Sequence, residues 1–300
     1  MPGTSAFVAI SNLMSPELLA WLTAVSFALS NVSVRNGLNY STPFTATLVS
    51  LIIHTVALWI VVFLTMGIPQ VALAAVVAIV VTGILQPIMR HCHYTGIHKL
   101  GTSRAVTLRN TFPLPAVLIG ILFLGEPITP LGIVGTVSVV AGIVLTSWRI
   151  DKHLPSFHWT HLMYPVATAL ITAVVHPLRR YALIQSHEPL FFTAVVGPVS
   201  LLALGAYYVT PICKEKLVWD RRAFWPFFVS GFFETLAVLL MLLAFSLGPV
   251  VVVSPIASTT PIWTLIISAI FLRQIEKITI ASTVGTLLVV AGVVAIALTH

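Results

Sequence analysis

Residues 135–145 read GTVSVVAGIVL and residues 285–295 read GTLLVVAGVVA, one glycine-spaced apolar pattern returning after 150 residues, half the length of the chain. Self-similarity at a fixed offset marks a duplicated structural unit. The match continues upstream: Glu126-Pro-Ile-Thr corresponds to Glu276-Lys-Ile-Thr, Leu100-Gly101 to Leu247-Gly248, Pro113 to Pro261 and Gln86 to Glu234. Asn31 falls opposite His176 and Arg35 opposite Arg180. The chain thus divides into repeats 1–150 and 151–300. In both, glycines seven residues apart (Gly135 and Gly142, Gly285 and Gly292) suit close helix approach in lipid.

Hydrophobic residues make up 58% of the chain and charged residues 8%, against roughly 25% charged in soluble proteins. At about 20 residues per crossing, the stretches 17–35, 43–66, 71–90, 102–125, 131–148, 159–180, 190–209, 224–246, 250–272 and 279–299 give ten transmembrane helices. The expected fold is therefore an all-α membrane protein of two five-helix repeats. Five is odd, so the second copy threads the bilayer inverted relative to the first, the plan of a secondary transporter that exposes a midplane site to each side in turn. No nucleotide-binding loop or channel-like filter is visible, and no cofactor is implied. A net charge of +7 with no basic run longer than two residues argues against nucleic acid. Cys92 and Cys213 show neither disulfide nor zinc spacing and read as small apolar fillers. The first dozen residues lack the pattern of a cleavable signal.

A charge at the bilayer centre costs roughly 2.5–3.5 kcal/mol on insertion scales, so inward-facing polar residues are the candidates for a substrate site. Arg109 stands eight residues into the fourth span, about 12 Å deep at ~1.5 Å per residue. Asn110, Thr111 and a Pro113-x-Pro115 break follow it, and a break at that depth must face protein or a wet cavity. Arg109 reads as the ligand of an anionic group, or else as an arginine tied to the carbonyls of the kink. Gln86, Arg90 and His93 recur at i, i+4 and i+7 on one helix face. Arg90 offers a bidentate guanidinium, or snorkels to the interface from the span end. His91 and His93 point apart, so no metal site is expected. Glu234 is the one acidic residue well inside a span, a coupling group or a static partner of Arg90 or Arg109. Ser258, Thr259 and Trp263 occupy the break of the ninth span and, with Tyr94, suit an opposing wall. Asn31, Arg35, His176 and Arg180 read as gates at opposite mouths, or as interfacial residues, with Arg179 beside them. Glu126 reads as a cap on the following helix, and His54 as a core histidine.

Leu-Gly-Glu-Pro-Ile-Thr at 124–129, with the LGIVGTVSVVAGIVL that follows, resembles the closing helix pair of EamA-type proteins of the drug/metabolite transporter superfamily. That resemblance implies ten helices in two inverted repeats and a transport function, with the substrate left open. Arg109-Asn-Thr-Phe-Pro113 also looks like the Lys-x-x-Glu-Pro segment of plastid phosphate translocators, with Arg109 at the lysine position. Phe112 stands where that segment has glutamate, and 250–272 has no basic residue. Together these readings give a secondary transporter of a small organic metabolite bearing a carboxylate or phosphate, coupled to protons or a counter-substrate. The alternative is an exporter of amino acids or aromatic drug-like compounds that stack on Trp263 and Tyr94. An intramembrane enzyme or a non-transporting sensor are lesser alternatives. The resemblance points to a bacterial inner membrane or an organelle membrane. The loop charges Arg35, Lys99, Arg149, Lys152, Lys214, Lys216, Arg221, Arg222, Arg273 and Lys277 place both termini away from the cytoplasm, whereas the resemblance implies cytoplasmic termini.

Overall fold

The structure is a computed structural model that describes residues 14–147, 158–210, 216–271 and 280–298. Arg149, Lys152, Cys213, Lys214, Arg273, Glu276 and Lys277 lie outside the described residues. The helices are α1 (Pro16–Gly37), α2 (Pro43–Thr65), α3 (Leu73–Leu100), α4 (Thr102–Arg109), α5 (Pro113–Leu124) and α6 (Pro130–Ser147) in the first half. The second half holds α7 (Met163–Gln185), α8 (Pro189–Tyr208), α9 (Arg221–Leu247), α10 (Val250–Ala257), α11 (Thr260–Phe271) and α12 (Ile280–Ala297), with one 3-10 turn before α7. Proline opens several of them at a position with no intrahelical donor to lose. At Pro16 and Pro43 the preceding Ser15 and Thr42 side chains accept from Leu18 N and Thr45 N, at 3.2 and 3.3 Å.

Helices α4 and α5 together make one span, as do α10 and α11, so twelve helices make ten crossings. Eight of these are long and apolar enough to span a bilayer, and the last helix of each half is a shorter apolar one. The outer surface is apolar, with Leu64, Phe123 and Val209 each at least 80% exposed, while Gln86, Arg90 and Glu234 are buried inside. Such an inside-out distribution suits a protein solvated by lipid.

The two spans expected at 102–125 and 250–272 are both interrupted. In the first, the Asn110 side chain donates to Val106 O at 2.6 Å and Thr111 Oγ1 to Leu108 O at 2.9 Å. In the second, Ser258, Thr259 and Thr260 donate to the carbonyls of Pro255, Ile256 and Ala257, at 2.6 to 2.9 Å. The carbonyls at each break thus find donors on the break's own side chains, as hydrocarbon requires. A third proline, Pro87 inside α3, removes the donor for Gly83 O, and Ser200 Oγ of α8 replaces it at 2.8 Å.

The repeated glycine segment shows how the halves meet. Gly135 lies on Gly292 and Gly142 on Gly285; a Cβ on Gly142 would come within 2.5 Å of Gly285 O. Because Gly135 corresponds to Gly285 and Gly142 to Gly292, this crossed pairing makes α6 and α12 antiparallel, and the repeats inverted. The remaining contacts obey the same pseudo-twofold: α1 packs on α9 as α7 packs on α3, and α2 on α9 as α8 on α3. These four helices, α1, α3, α7 and α9, with the broken spans beside them, surround the polar interior.

Candidate functional site

Helix α3 continues ten residues past Arg90 to Leu100, so Arg90 sits in the bundle and not at a span end. Its guanidinium donates through Nη1 to Ser50 Oγ at 2.9 Å, and its Nε lies 3.5 Å from Glu234 Oε1. Glu234 Oε2 accepts from Ser30 Oγ at 3.1 Å, and Ser30 in turn meets Ser230 at 3.0 Å. Tyr94 completes this side by donating to Ser50 Oγ at 3.4 Å. Four elements, α1, α2, α3 and α9, therefore converge on one ion pair.

A second arginine is held at the repeat-related position, though from a non-equivalent helix, α7. Gln86, the repeat mate of Glu234, accepts through Oε1 from Arg179 Nη2 at 2.8 Å. Equivalent positions of the third helix in each half thus each hold an arginine, one through a carboxylate and one through an amide. Arg179 is the participant that the sequence reading left at a mouth. It is 2% exposed, while its neighbour Arg180 is half-buried near the helix end. Consecutive helical residues point about 100° apart, so only one of the two faces the interior. Its i+3 relation to His176 is the signal that would have chosen Arg179.

Asn31 and His176 also lie within the bundle, not at its mouths. His93 Nε2 meets Asn31 Oδ1 at 2.8 Å, and His176 Nδ1 meets Ser254 Oγ at 3.0 Å. Phe112 and Phe245 pack edge-on against the His176 ring, with centroids 4.7 and 5.1 Å away. Arg109, at the α4–α5 break, is buried with its guanidinium 5.0 Å over the Phe27 ring.

The hydrogen-bond balance of this cluster leans toward donors. Apart from Arg90 Nε, which pairs with Glu234, buried Arg90 Nη2, Arg109 Nε, Arg179 Nε, Gln86 Nε2 and Asn31 Nδ2 have no acceptor, and His93 Nδ1 has no donor. Five of these six are donors. Among the described residues, the interior buries three arginines, Arg90, Arg109 and Arg179, and one carboxylate, Glu234, which pairs with Arg90. Unpaired buried charge costs several kcal/mol in low dielectric, so donors of this kind are costly unless an acceptor meets them.

The other sequence candidates stand further off. Ser258 and Thr259 spend their hydroxyl protons on backbone carbonyls, as described above. Trp263 packs edge-on against Trp21, with centroids 5.8 Å apart, among Ala28, Val32 and Ile267. His54 Nε2 donates to Thr193 O at 2.9 Å, in the core between α2 and α8. Arg35 donates to Ile97 O at 3.2 Å, and Arg180 to Phe245 O, its repeat-related counterpart at the opposite end. A cavity of about 470 Å³ lined by Thr45, Trp219 and Trp225 lies where α2 and α9 begin, apart from the central cluster.

Glu126 caps a helix, but not the next one. The carboxylate accepts from Val250 N at 3.0 Å and Val251 N at 3.2 Å, at the start of α10 in the other half. The reason is the chain reversal at Gly125, whose φ of +66° lets Glu126 N return to Gly120 O at 3.2 Å. The side chain then lies over Gly120, where a Cβ would be 2.9 Å from Oε2.

Comparison with known proteins agrees with this architecture. A solved structure described only as "Crystal structure of protein" superposes with a TM-score of 0.74 at 16% identity, covering 95% of this chain and 96% of its own. That similarity shows the fold. No curated protein sequence matches the chain. The model of the EamA-like transporter family matches twice, over residues 14–148 and 159–298. With one such match in each half, the chain is a multi-pass membrane protein that belongs to the EamA-like transporter family.

Proposed function

We propose that this transporter carries a small organic anion, bearing a carboxylate or phosphate, by alternating access between the repeats 1–150 and 151–300. The observation that carries the reading is the donor surplus of the central cluster: three buried arginines, one carboxylate, and five buried N–H groups without acceptors. Arg109 and Arg179 take the anionic group, with Gln86 and Asn31 supplying neutral donors and Asn110 shaping the break beside them. Arg90 is held by Glu234 at 3.5 Å, and an incoming anion competes with that carboxylate for the same guanidinium. Binding thereby loosens α3 from α9, which links occupancy to movement of one repeat against the other and gives Glu234 its coupling role. Tyr94 keeps Arg90 in place through the Ser50 hydroxyl they share, and His93 orients the Asn31 amide.

The test is uptake into proteoliposomes of a sugar phosphate, a dicarboxylate and a neutral amino acid in parallel. Arg109→Gln and Arg179→Gln are expected to reduce transport of the anions at least tenfold, mainly through KM. If both variants transport every compound as the parent does, the assignment is wrong. Export of aromatic compounds by stacking finds less support, because Trp263 is engaged with Trp21 and Tyr94 with Ser50.

A further inference from the structure

We infer that Glu126, Arg180 and the N-terminus of α10 form a latch that closes one mouth of the bundle and must open in each transport cycle. The inference rests on the alternating-access reading above, but not on the identity of the substrate. Three observations support it. Glu126 belongs to the first repeat, yet both of its carboxylate oxygens accept from the backbone of the second, at Val250 and Val251. Arg180, on α7, adds an ion pair to the same carboxylate, with Nε 3.7 Å from Oε1, and donates to Phe245 O at the end of α9. The first repeat is thus tied through a single carboxylate to two helices of the second, α10 and α7, and through Arg180 to the end of α9, all at the end of the bundle where α1 begins. The contact of Gly248 with Pro16, whose Cβ would lie 2.8 Å from a Cβ on that glycine, fixes this end.

A static helix cap does not need this construction. An N-cap is ordinarily supplied by the residue preceding its own helix, whereas α10 begins after Gly248 and Pro249, which offer no side-chain acceptor. Its first N–H groups depend on the opposite repeat. When the repeats separate at this end, Glu126 leaves α10 and Arg180 together, exposing groups that water satisfies. When they close, the positive end of the α10 dipole and the guanidinium draw the carboxylate back. Glu126 and Arg180 are positioning residues in this scheme and do not touch the substrate.

The test uses the full-length protein in liposomes with Cys92→Ser and Cys213→Ser as background. Ser30→Cys reports access to the central cluster from α1, so that fraying of α10 alone does not expose it. A membrane-impermeant maleimide is added from the side that carries Glu126. Glu126→Gln and, separately, Arg180→Gln are expected to speed labelling at least tenfold. Conversely, Gly120→Cys with Val250→Cys should form a disulfide across the mouth, since a Cβ on Gly120 lies 3.6 Å from the Val250 Cβ, within the usual ~3.5–4.5 Å. Oxidation of that pair should slow labelling at least tenfold, and a reductant should reverse it. Unchanged rates in both latch variants, or an oxidised pair that labels as fast as the reduced one, would overturn the latch. Faster labelling, with none of the tested anions carried by the protein that keeps Ser30, would keep the latch and discard the substrate assignment.

Discussion

Adding one methyl group at Gly142 is the sharpest probe of how the repeats are joined. In an open helix interior, Gly→Ala stabilises by about 0.5–1 kcal/mol through backbone entropy. At Gly142 the new Cβ would lie 2.5 Å from Gly285 O, 2.7 Å from Val289 Cγ2 and 2.8 Å from Val289 N. Two of the three are backbone atoms of α12, which no rotamer change can move. Restoring an ordinary 3.4 Å separation from the carbonyl requires α6 and α12 to part locally by about 0.9 Å. Overpacking of this kind costs typically ~1–3 kcal/mol, and an obstruction made of backbone belongs at the upper end. Subtracting the propensity gain leaves a net destabilisation of about 2 kcal/mol. Gly205→Ala is the internal control, because nothing lies within 4 Å of its Cβ position; it should be neutral or slightly stabilising. Thermal unfolding of the purified protein in detergent, followed by tryptophan fluorescence, reads both. A Gly142→Ala transition at or above that of Gly205→Ala would refute the close antiparallel contact, and with it the structural demonstration of inversion.

Removing the Ser200 hydroxyl leaves Gly83 O, freed by Pro87, without its donor. Ser200→Ala should therefore cost about 0.6–1.7 kcal/mol, the span measured for interhelical hydrogen bonds in membranes, in the same unfolding assay; no loss would mean that the carbonyl finds another donor. A double-mutant cycle of Arg179→Gln with Gln86→Ala should give a coupling of about 0.5–3 kcal/mol, and additivity would show that the two do not interact. Outside the membrane-spanning segments, hydrogen bonds from Arg222 hold the Asp220 carboxyl below the usual aspartate range. A depressed folded-state value contributes stability above the unfolded one, near pH ~3.9, and loses it as pH falls through the folded value. Asp220→Asn should consequently melt lower than the parent at neutral pH, with the gap closing in acid; a gap that does not depend on pH would remove the charge from the explanation.

Much of the fold is legible in local sequence. Bilayer thickness sets the length of each apolar stretch, so ten spans can be counted without tertiary information. The return of GTVSVVAGIVL as GTLLVVAGVVA reveals the duplication, and an odd number of spans per copy implies the inversion that the crossed contacts of Gly135 and Gly142 display. The prolines and hydroxyls at 110–113 and 258–261 likewise mark the breaks. Hydropathy fares worse at helix ends. It stops the third span at Arg90, whereas α3 runs on to Leu100 because Ser50 and Glu234 engage that arginine inside the bundle.

The sequence by itself determined that the chain crosses the bilayer ten times as two inverted copies and buries polar groups against its own hydropathy. It also named Gln86, Arg90, His93, Arg109 and Glu234 as the ones to watch. Only the tertiary structure decided which groups meet: Arg179 rather than Arg180 at Gln86, Glu234 between Arg90 and Ser30, and Glu126 on α10 of the other repeat. The physical reason is range. Spans and breaks follow from the free energy of residues near one another in sequence. A buried ion pair or a borrowed helix cap instead depends on two surfaces more than ninety residues apart, which come together only when the repeats pack.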